Sequence, residues 1–102
     1  MTYTQELEAR RAKSATAVDA TTPASAVRKT KRESTYGQGV SWEFSLRTRI
    51  GVYTYIAQRD VDGREWELRR VEFDNPFRNR LVINEMSTLE SCVAAAIRNA
   101  TW

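Results

Sequence analysis

The chain has no histidine and one cysteine among its 102 residues. Without histidine it lacks the commonest general base and the commonest metal ligand, and Ser–His and Cys–His catalytic pairs are excluded within this chain. A single cysteine excludes an internal disulfide and a zinc site built on several cysteines. These absences predict a protein that is not an enzyme and that uses no metal, no cofactor and no small-molecule substrate.

Long apolar runs are missing as well. No stretch approaches the ~20 apolar residues that a membrane-spanning helix requires, and Met1 to Lys13 is too polar for a signal-peptide core. The length suits one small domain. We therefore expect a soluble protein that does not interact with membranes, is cytoplasmic or virion-associated, and is not secreted through a signal peptide.

Charge is divided unevenly along the chain. Residues 1–37 hold seven bases and four acids, whereas residues 38–102 hold nine of each, so the whole net charge of +3 lies in the first third. Large apolar residues are scarce there, and Ser14 to Ser25 is mostly Ala, Thr and Ser, which offers too little apolar surface to offset the entropy of ordering. Residues 1–37 are predicted to be a basic, flexible, low-complexity arm, in which residues 5–15 favour a short helix.

From residue 38 onward the pattern is that of strands. Val40 to Arg47 alternates apolar and polar residues, and Val52 to Asp60 is rich in β-branched and aromatic residues. Asp62-Gly63 is a type I′ hairpin signal, and a third strand follows over Arg64 to Phe73. A fourth, edge strand is expected at Leu81-Val82-Ile83.

Two turns predict the strand register. A two-residue loop at Asp62-Gly63 sets Ala57 opposite Leu68, and a tight turn at Ile50-Gly51 sets Phe44 opposite Ala57. Both turns place the large apolar side chains of three strands on one face of the sheet. Its members are Trp42, Phe44, Leu46, Tyr53, Tyr55, Ala57, Trp66 and Leu68.

The C-terminal segment is predicted to be helical. Ser87-Thr88-Leu89-Glu90 has the spacing of a capping box, with Glu90 reaching back to the cap. An apolar stripe follows at helical spacing, formed by Leu89, Cys92, Val93, Ala96, Ile97 and Ala100. Such a stripe packs on an apolar surface, which the aromatic sheet face supplies. Residues 38–102 are therefore predicted to form a compact α+β domain, an antiparallel three- to four-stranded β-meander packed on one C-terminal helix.

The sheet face turned away from that helix is a candidate interaction surface. All nine bases of residues 38–102 are arginine, which forks onto carboxylate or phosphate and stacks on aromatic rings. The alternative is a solvent-exposed face with cross-strand Glu–Arg pairs. The residues predicted to bind a partner are Arg47, Arg49, Ile56, Arg69, Val71 and Phe73.

The basic run of the arm is a second candidate. Arg28, Lys29, Lys31 and Arg32 would bind a phosphate backbone by releasing counterions, although solvated or protein-docking arms carry such runs too.

Three other features are interpreted structurally. The run Asp60-x-Asp62-Gly63-x-Glu65 lacks the remaining ligands of a calcium loop, so its acids are read as turn-forming residues. Cys92, on the apolar stripe, is predicted to be a buried small hydrophobe. Glu65 and Glu67 are predicted to pair with arginine on the surface rather than to perform acid–base chemistry.

A basic, low-complexity arm before a compact β-rich domain resembles in plan many virion, phage and assembly proteins. We predict a non-enzymatic interaction or assembly protein that docks on a protein partner, or forms a homo-oligomer, through the Arg-rich sheet face, while the arm orders on binding. The alternative is a small nucleic-acid-binding module that uses the basic arm. An enzyme built on sheet carboxylates and arginines is the least favoured reading.

Overall fold

A computed structural model of the chain describes residues 15–33, 39–59, 63–72 and 75–102. A small α+β fold occupies these residues, with six strands, one long helix and a single 3-10 turn at Ala24–Ala26. The strands are β1 (Thr16–Ala17), β2 (Thr30–Glu33), β3 (Val40–Thr48), β4 (Gly51–Arg59), β5 (Trp66–Glu72) and β6 (Asn75–Met86), and the helix is α1 (Leu89–Thr101).

The six strands form one mixed sheet in the order β1-β3-β4-β5-β6, and β2 pairs with the same edge of β3 as β1 does. β1 is parallel to β3, whereas the other pairings are antiparallel. The predicted meander is present as β3 to β6, but the predicted strand count was too small. At two and four residues, β1 and β2 are too short to show the alternation from which a strand is recognised.

The β3–β4 hairpin turns one residue earlier than predicted. Thr48 pairs with Gly51, so the loop is Arg49-Ile50 and not Ile50-Gly51, and Phe44 lies two positions from its predicted partner. The Thr48 hydroxyl holds this loop, because it donates to the Gly51 carbonyl at 3.1 Å and accepts from the loop N–H of residue 50 at 3.3 Å. A shift of two residues leaves each side chain on its predicted face.

The predicted β4–β5 register is confirmed, with Ala57 opposite Leu68. Asp62, in the loop that joins these strands, lies outside the described residues. β6 is much longer than the edge strand predicted at 81–83, and its register against β5 shifts at three points. Glu85 adopts a left-handed conformation (φ 59°) at one of these irregularities, as expected where an extra residue is inserted in a strand.

Helix α1 is capped one residue later than predicted. The Thr88 hydroxyl accepts from the Ser91 N–H at 3.0 Å, and the Ser91 hydroxyl accepts from the Thr88 N–H at 3.2 Å, so Ser91 takes the place predicted for Glu90. The apolar stripe is confirmed: Leu89 is half-buried, and the buried members are Cys92, Val93, Ala96, Ile97 and Ala100. They pack against the aromatic sheet face, where Leu46, Tyr55 and Leu68 are fully buried.

Part of the predicted arm belongs to this core. Val18 and Val27 are 9% and 4% exposed and join the same cluster as the helix. The Thr- and Ala-rich stretch between them is ordered by local bonds: an oxygen of the Asp19 carboxylate accepts from the N–H and hydroxyl of Thr21 at 2.8 and 2.6 Å. These bonds lower the pKa of Asp19, the Thr21 hydroxyl having the largest effect. The structure therefore packs parts of residues 15–33 on the core, and the polar side chains of this segment form its turns. The flexibility of the arm stays a prediction.

The rest of the predicted arm lies outside the described residues. This holds for residues 1–14, which include nearly all of the helix predicted over 5–15, and for residues 34–38, which include the predicted domain boundary.

Candidate interaction surface

The sheet has a second face, opposite the one that α1 covers. Cross-strand partners share a face, so the register assigns the members of the second face strand by strand. They are Ser41, Glu43, Ser45 and Arg47 of β3, Val52, Thr54, Ile56 and Gln58 of β4, and Glu67, Arg69 and Val71 of β5. The predicted partner-binding strand residues are thus on one face, as the alternation indicated.

The middle of the second face is buried although its side chains are mostly polar. The hydroxyls of Ser45 and Thr54 form a hydrogen bond of 2.8 Å, and both residues are buried. Ile56 is only 1% exposed, between its cross-strand neighbours Glu43 and Arg69. That Ile56 binds a partner stays a prediction, and in this structure its side chain has almost no exposed surface to offer.

A hydrogen-bonded network crosses three strands beside Ile56. The Gln58 amide donates to the Glu67 carboxylate, and the Arg69 Nε donates to the same Glu67 oxygen at 3.1 Å. Arg69 also donates through Nη1 to the Asn79 side-chain oxygen at 3.1 Å. The half-buried guanidinium of Arg69 is therefore hydrogen-bonded to both Glu67 of β5 and Asn79 of β6, and it links these two strands.

The basic run at 28–32 does not form a single surface. Lys31 pairs with a residue of the helix-side face and Arg32 with a residue of the second face, so the pleat of β2 sends their side chains in opposite directions. Arg32 forms an ion pair of 2.5 Å with Glu43. Lys29 donates to the Val27 carbonyl at 3.3 Å, and Arg28 is exposed.

The hairpin end of the second face differs from its middle. We call four residues there the hairpin patch: Arg47, Arg49, Ile50 and Val52. Arg47 is the cross-strand partner of Val52, which is 40% exposed, and Ile50 in the loop is 73% exposed. Both arginines are exposed, and within the described part of the chain neither forms an ion pair or a side-chain hydrogen bond. The patch therefore offers two uncommitted guanidinium groups beside two exposed apolar side chains.

The predicted site is thus assembled only in part. Arg47 and Arg49 are accessible at one end, Arg69 is engaged, and Val71 is half-buried opposite Asn79. Phe73 lies outside the described residues. The predicted site did not include Ile50, which the structure exposes in the hairpin loop.

Two side chains that could perform chemistry, Cys92 and Glu67, are buried or paired. The described residues contain no group of three or more His, Cys, Asp or Glu side chains that could hold a metal ion. Cys92 is fully buried, and burial, with a smaller effect of the Glu67 charge, raises the pKa of its thiol to about 11. Glu67 is paired with Arg69. Among the described residues there is also no helix long and apolar enough to span a membrane.

No protein-family model matches the chain, and neither a curated protein nor a solved structure matches it. The interpretation of this surface therefore rests on its geometry and chemistry.

Proposed function

We propose that the protein is a non-enzymatic interaction or assembly protein that docks on a protein partner, or on a second copy of itself, through the hairpin end of the second face. The observation that supports this best is the hairpin patch, in which Arg47 and Arg49, which form no ion pair with any described residue, lie beside exposed Val52 and Ile50. Arginine is enriched in protein interfaces, and apolar side chains exposed next to one another are a common feature of binding surfaces.

The arrangement of the face supports the same choice of location. Its middle is occupied by the ion pair between Glu67 and Arg69. A partner that broke this ion pair would leave two charges half-buried without a counterion. The side chains of the hairpin patch form no ion pair or hydrogen bond with the described residues, so a partner can contact them without displacing one. A β-hairpin held by the Thr48 hydroxyl also presents the patch in a defined geometry, which lowers the entropy lost on binding.

The test compares three full-length chains: the unaltered protein, a patch variant with Arg47→Gln, Arg49→Gln and Val52→Thr, and a control with Arg64→Gln. Arg64 is exposed at the opposite end of the strands, so the control removes an arginine without altering the patch. Sedimentation velocity over rising protein concentration measures self-association. The same chains, immobilised, measure retention of a protein from an extract of the producing organism.

We expect the patch variant to bind the second copy or the retained protein at least about tenfold more weakly, while the control binds as the unaltered chain does. Equal binding by all three chains would overturn the proposed surface. A chain that stays monomeric at every concentration and retains no protein would overturn the proposed function itself.

A further inference from the structure

The fold separates charges that cancel in the sequence of residues 38–102. In the half of the sheet that carries the β3–β4 hairpin, from the Phe44–Tyr55 pair to the loop, six arginines of residues 38–102 accompany one described acid of that range, Glu72, and Asp19 follows β1 at the same end. The six arginines are Arg47, Arg49, Arg70, Arg78, Arg80 and Arg98. At the opposite end the acids outnumber the arginines among the described residues, with Glu65, Glu67, Glu85 and Glu90 near Arg59 and Arg64. We call the first group of arginines the basic end.

The helix contributes to the basic end because of its direction. It starts just after Met86, which pairs with the first residue of β5 at the acidic end of the sheet. Its last turn lies over the other half of the sheet, where the Tyr55 hydroxyl donates to the Asn99 side-chain oxygen at 2.6 Å. Arg98 in that turn is exposed, and the indole of Trp102, immediately after the helix, is fully exposed.

Two arginines at the centre of this end oppose each other directly. Arg70 and Arg80 are cross-strand partners in β5 and β6, an arrangement in which like charges destabilise a sheet. Arg70 lies 4.3 Å from the ring centre of Tyr53, which stabilises its charge without neutralising it. Glu72 lies 3.6 Å from Arg80, but the two side chains are 42% and 65% exposed, so their attraction is screened by solvent. An anion between the two guanidinium groups would relieve the repulsion.

We infer that the basic end binds single-stranded nucleic acid, with phosphates at Arg70, Arg80 and Arg98 and a base stacked on Trp102. The planar guanidinium of arginine can donate two parallel hydrogen bonds to the oxygens of one phosphate. An exposed indole stacks on a base when that base is not already paired in a duplex, which favours a single strand. The inference does not rest on the proposed protein-docking function, since Arg80 and Arg98 lie off the second face.

The test is fluorescence anisotropy of a labelled single-stranded thymidine 12-mer titrated with the full-length chain at several salt concentrations. The variant Arg80→Gln/Arg98→Gln removes two predicted phosphate contacts. We expect it to bind about tenfold more weakly at 0.15 M salt and to lower the slope of log K against log salt by about 1.4, because each single-strand contact contributes about 0.7. Trp102→Ala should weaken binding about fivefold or more at an unchanged slope, since stacking releases no counterion.

The matched control is Arg64→Glu, which lowers the net charge by the same two units at one exposed residue away from the basic end. It should bind within about twofold of the unaltered chain. The inference would be overturned by a control as weak as the basic-end variant, which would indicate a general charge effect, or by the absence of salt-sensitive binding to the 12-mer. Equal competition by a 12-residue polyglutamate would assign the basic end to an acidic polypeptide instead.

Discussion

The two faces of this sheet are built from the same strands and differ in what holds them. On the helix-side face, Leu46, Tyr55 and Leu68 have no exposed surface and pack under α1. On the second face the buried positions are filled by small polar side chains such as Ser45 and Thr54, which satisfy each other. Burial by a helix and burial by hydrogen-bonded neighbours thus coexist on one set of strands. Large apolar side chains predominate under the helix, whereas Ile56 is the large apolar side chain buried among the described polar residues of the second face.

Arginine has a different partner on each face. On the helix side, Arg70 is stacked on the ring of Tyr53 at 4.3 Å. On the second face, Arg69 is hydrogen-bonded to the carboxylate of Glu67 at 3.1 Å. The weakly hydrated, planar guanidinium accepts both environments, which a lysine ammonium would do less well. The two faces therefore account for the exclusive use of arginine in residues 38–102 better than net charge does.

The comparison of the two faces predicts the largest difference in stability between two leucine-to-alanine variants, one on each face. Leu68→Ala should lower the free energy of unfolding by about 2–5 kcal/mol, because it leaves a cavity under α1. Leu81→Ala, on β6 opposite Arg69, should cost less than about 0.5 kcal/mol, since Leu81 is 42% exposed. Urea unfolding of both variants measures the difference. Similar losses would show that the faces do not differ as described.

A smaller effect tests whether residues 15–33 belong to the folded unit. Val27→Ala should lower the free energy of unfolding by about 1–3 kcal/mol, because Val27 is 4% exposed within the core cluster. The control is Ala26→Gly, which changes the backbone of the same segment but removes no buried side chain, since Ala26 is exposed. A Val27→Ala chain as stable as the unaltered protein would support the prediction of a flexible arm for this segment.

A pH-dependent effect follows from the tyrosine beneath the helix. Burial raises the pKa of Tyr55 from 10.0 to about 12, although the nearby charge of Arg70 opposes the shift. The folded state therefore retains a proton that the unfolded chain releases, so the contribution is full below pH 10 and is lost as pH rises from 10 through 12.

Tyr55→Phe should reduce that alkaline loss of stability. At neutral pH the same variant should cost about 0.5–1.5 kcal/mol, the value of the hydrogen bond to Asn99. Some pH dependence will persist from Cys92, whose raised pKa of about 11 acts over a range that starts near 9.0. Thermal unfolding from pH 8 to 12 measures both, and identical pH profiles for the two chains would contradict the assignment.

Much of this architecture could be predicted from the sequence, because periodicity carries the face assignments. The alternation in β3 and the stripe of α1 correctly identified the core face, and the β4–β5 register followed from the position of Gly63. The β3–β4 loop was misplaced because its turn depends on a side-chain bond of Thr48 rather than on glycine. β1 and β2 were missed because isolated residues such as Val18 give no period.

The interaction surface was less predictable for a related reason. The face on which a strand residue lies follows from the alternation of side chains along the strand. Its exposure depends instead on the length of the neighbouring side chains, so Ile56 is buried and Val52 is exposed on the same face. The basic end could not be predicted from the sequence at all, since its arginines come together only through the strand directions and the direction of α1.

The central claim is that the helix-side face provides the stability and the hairpin end of the second face is free for contact. Urea unfolding of the triple variant Arg47→Gln, Arg49→Gln and Val52→Thr tests it most directly, because all three residues are exposed and threonine keeps the β-branched shape. The account predicts a free energy of unfolding within about 1 kcal/mol of the unaltered protein. A loss as large as that of Leu68→Ala would contradict it, because the patch would then be part of what holds the fold together.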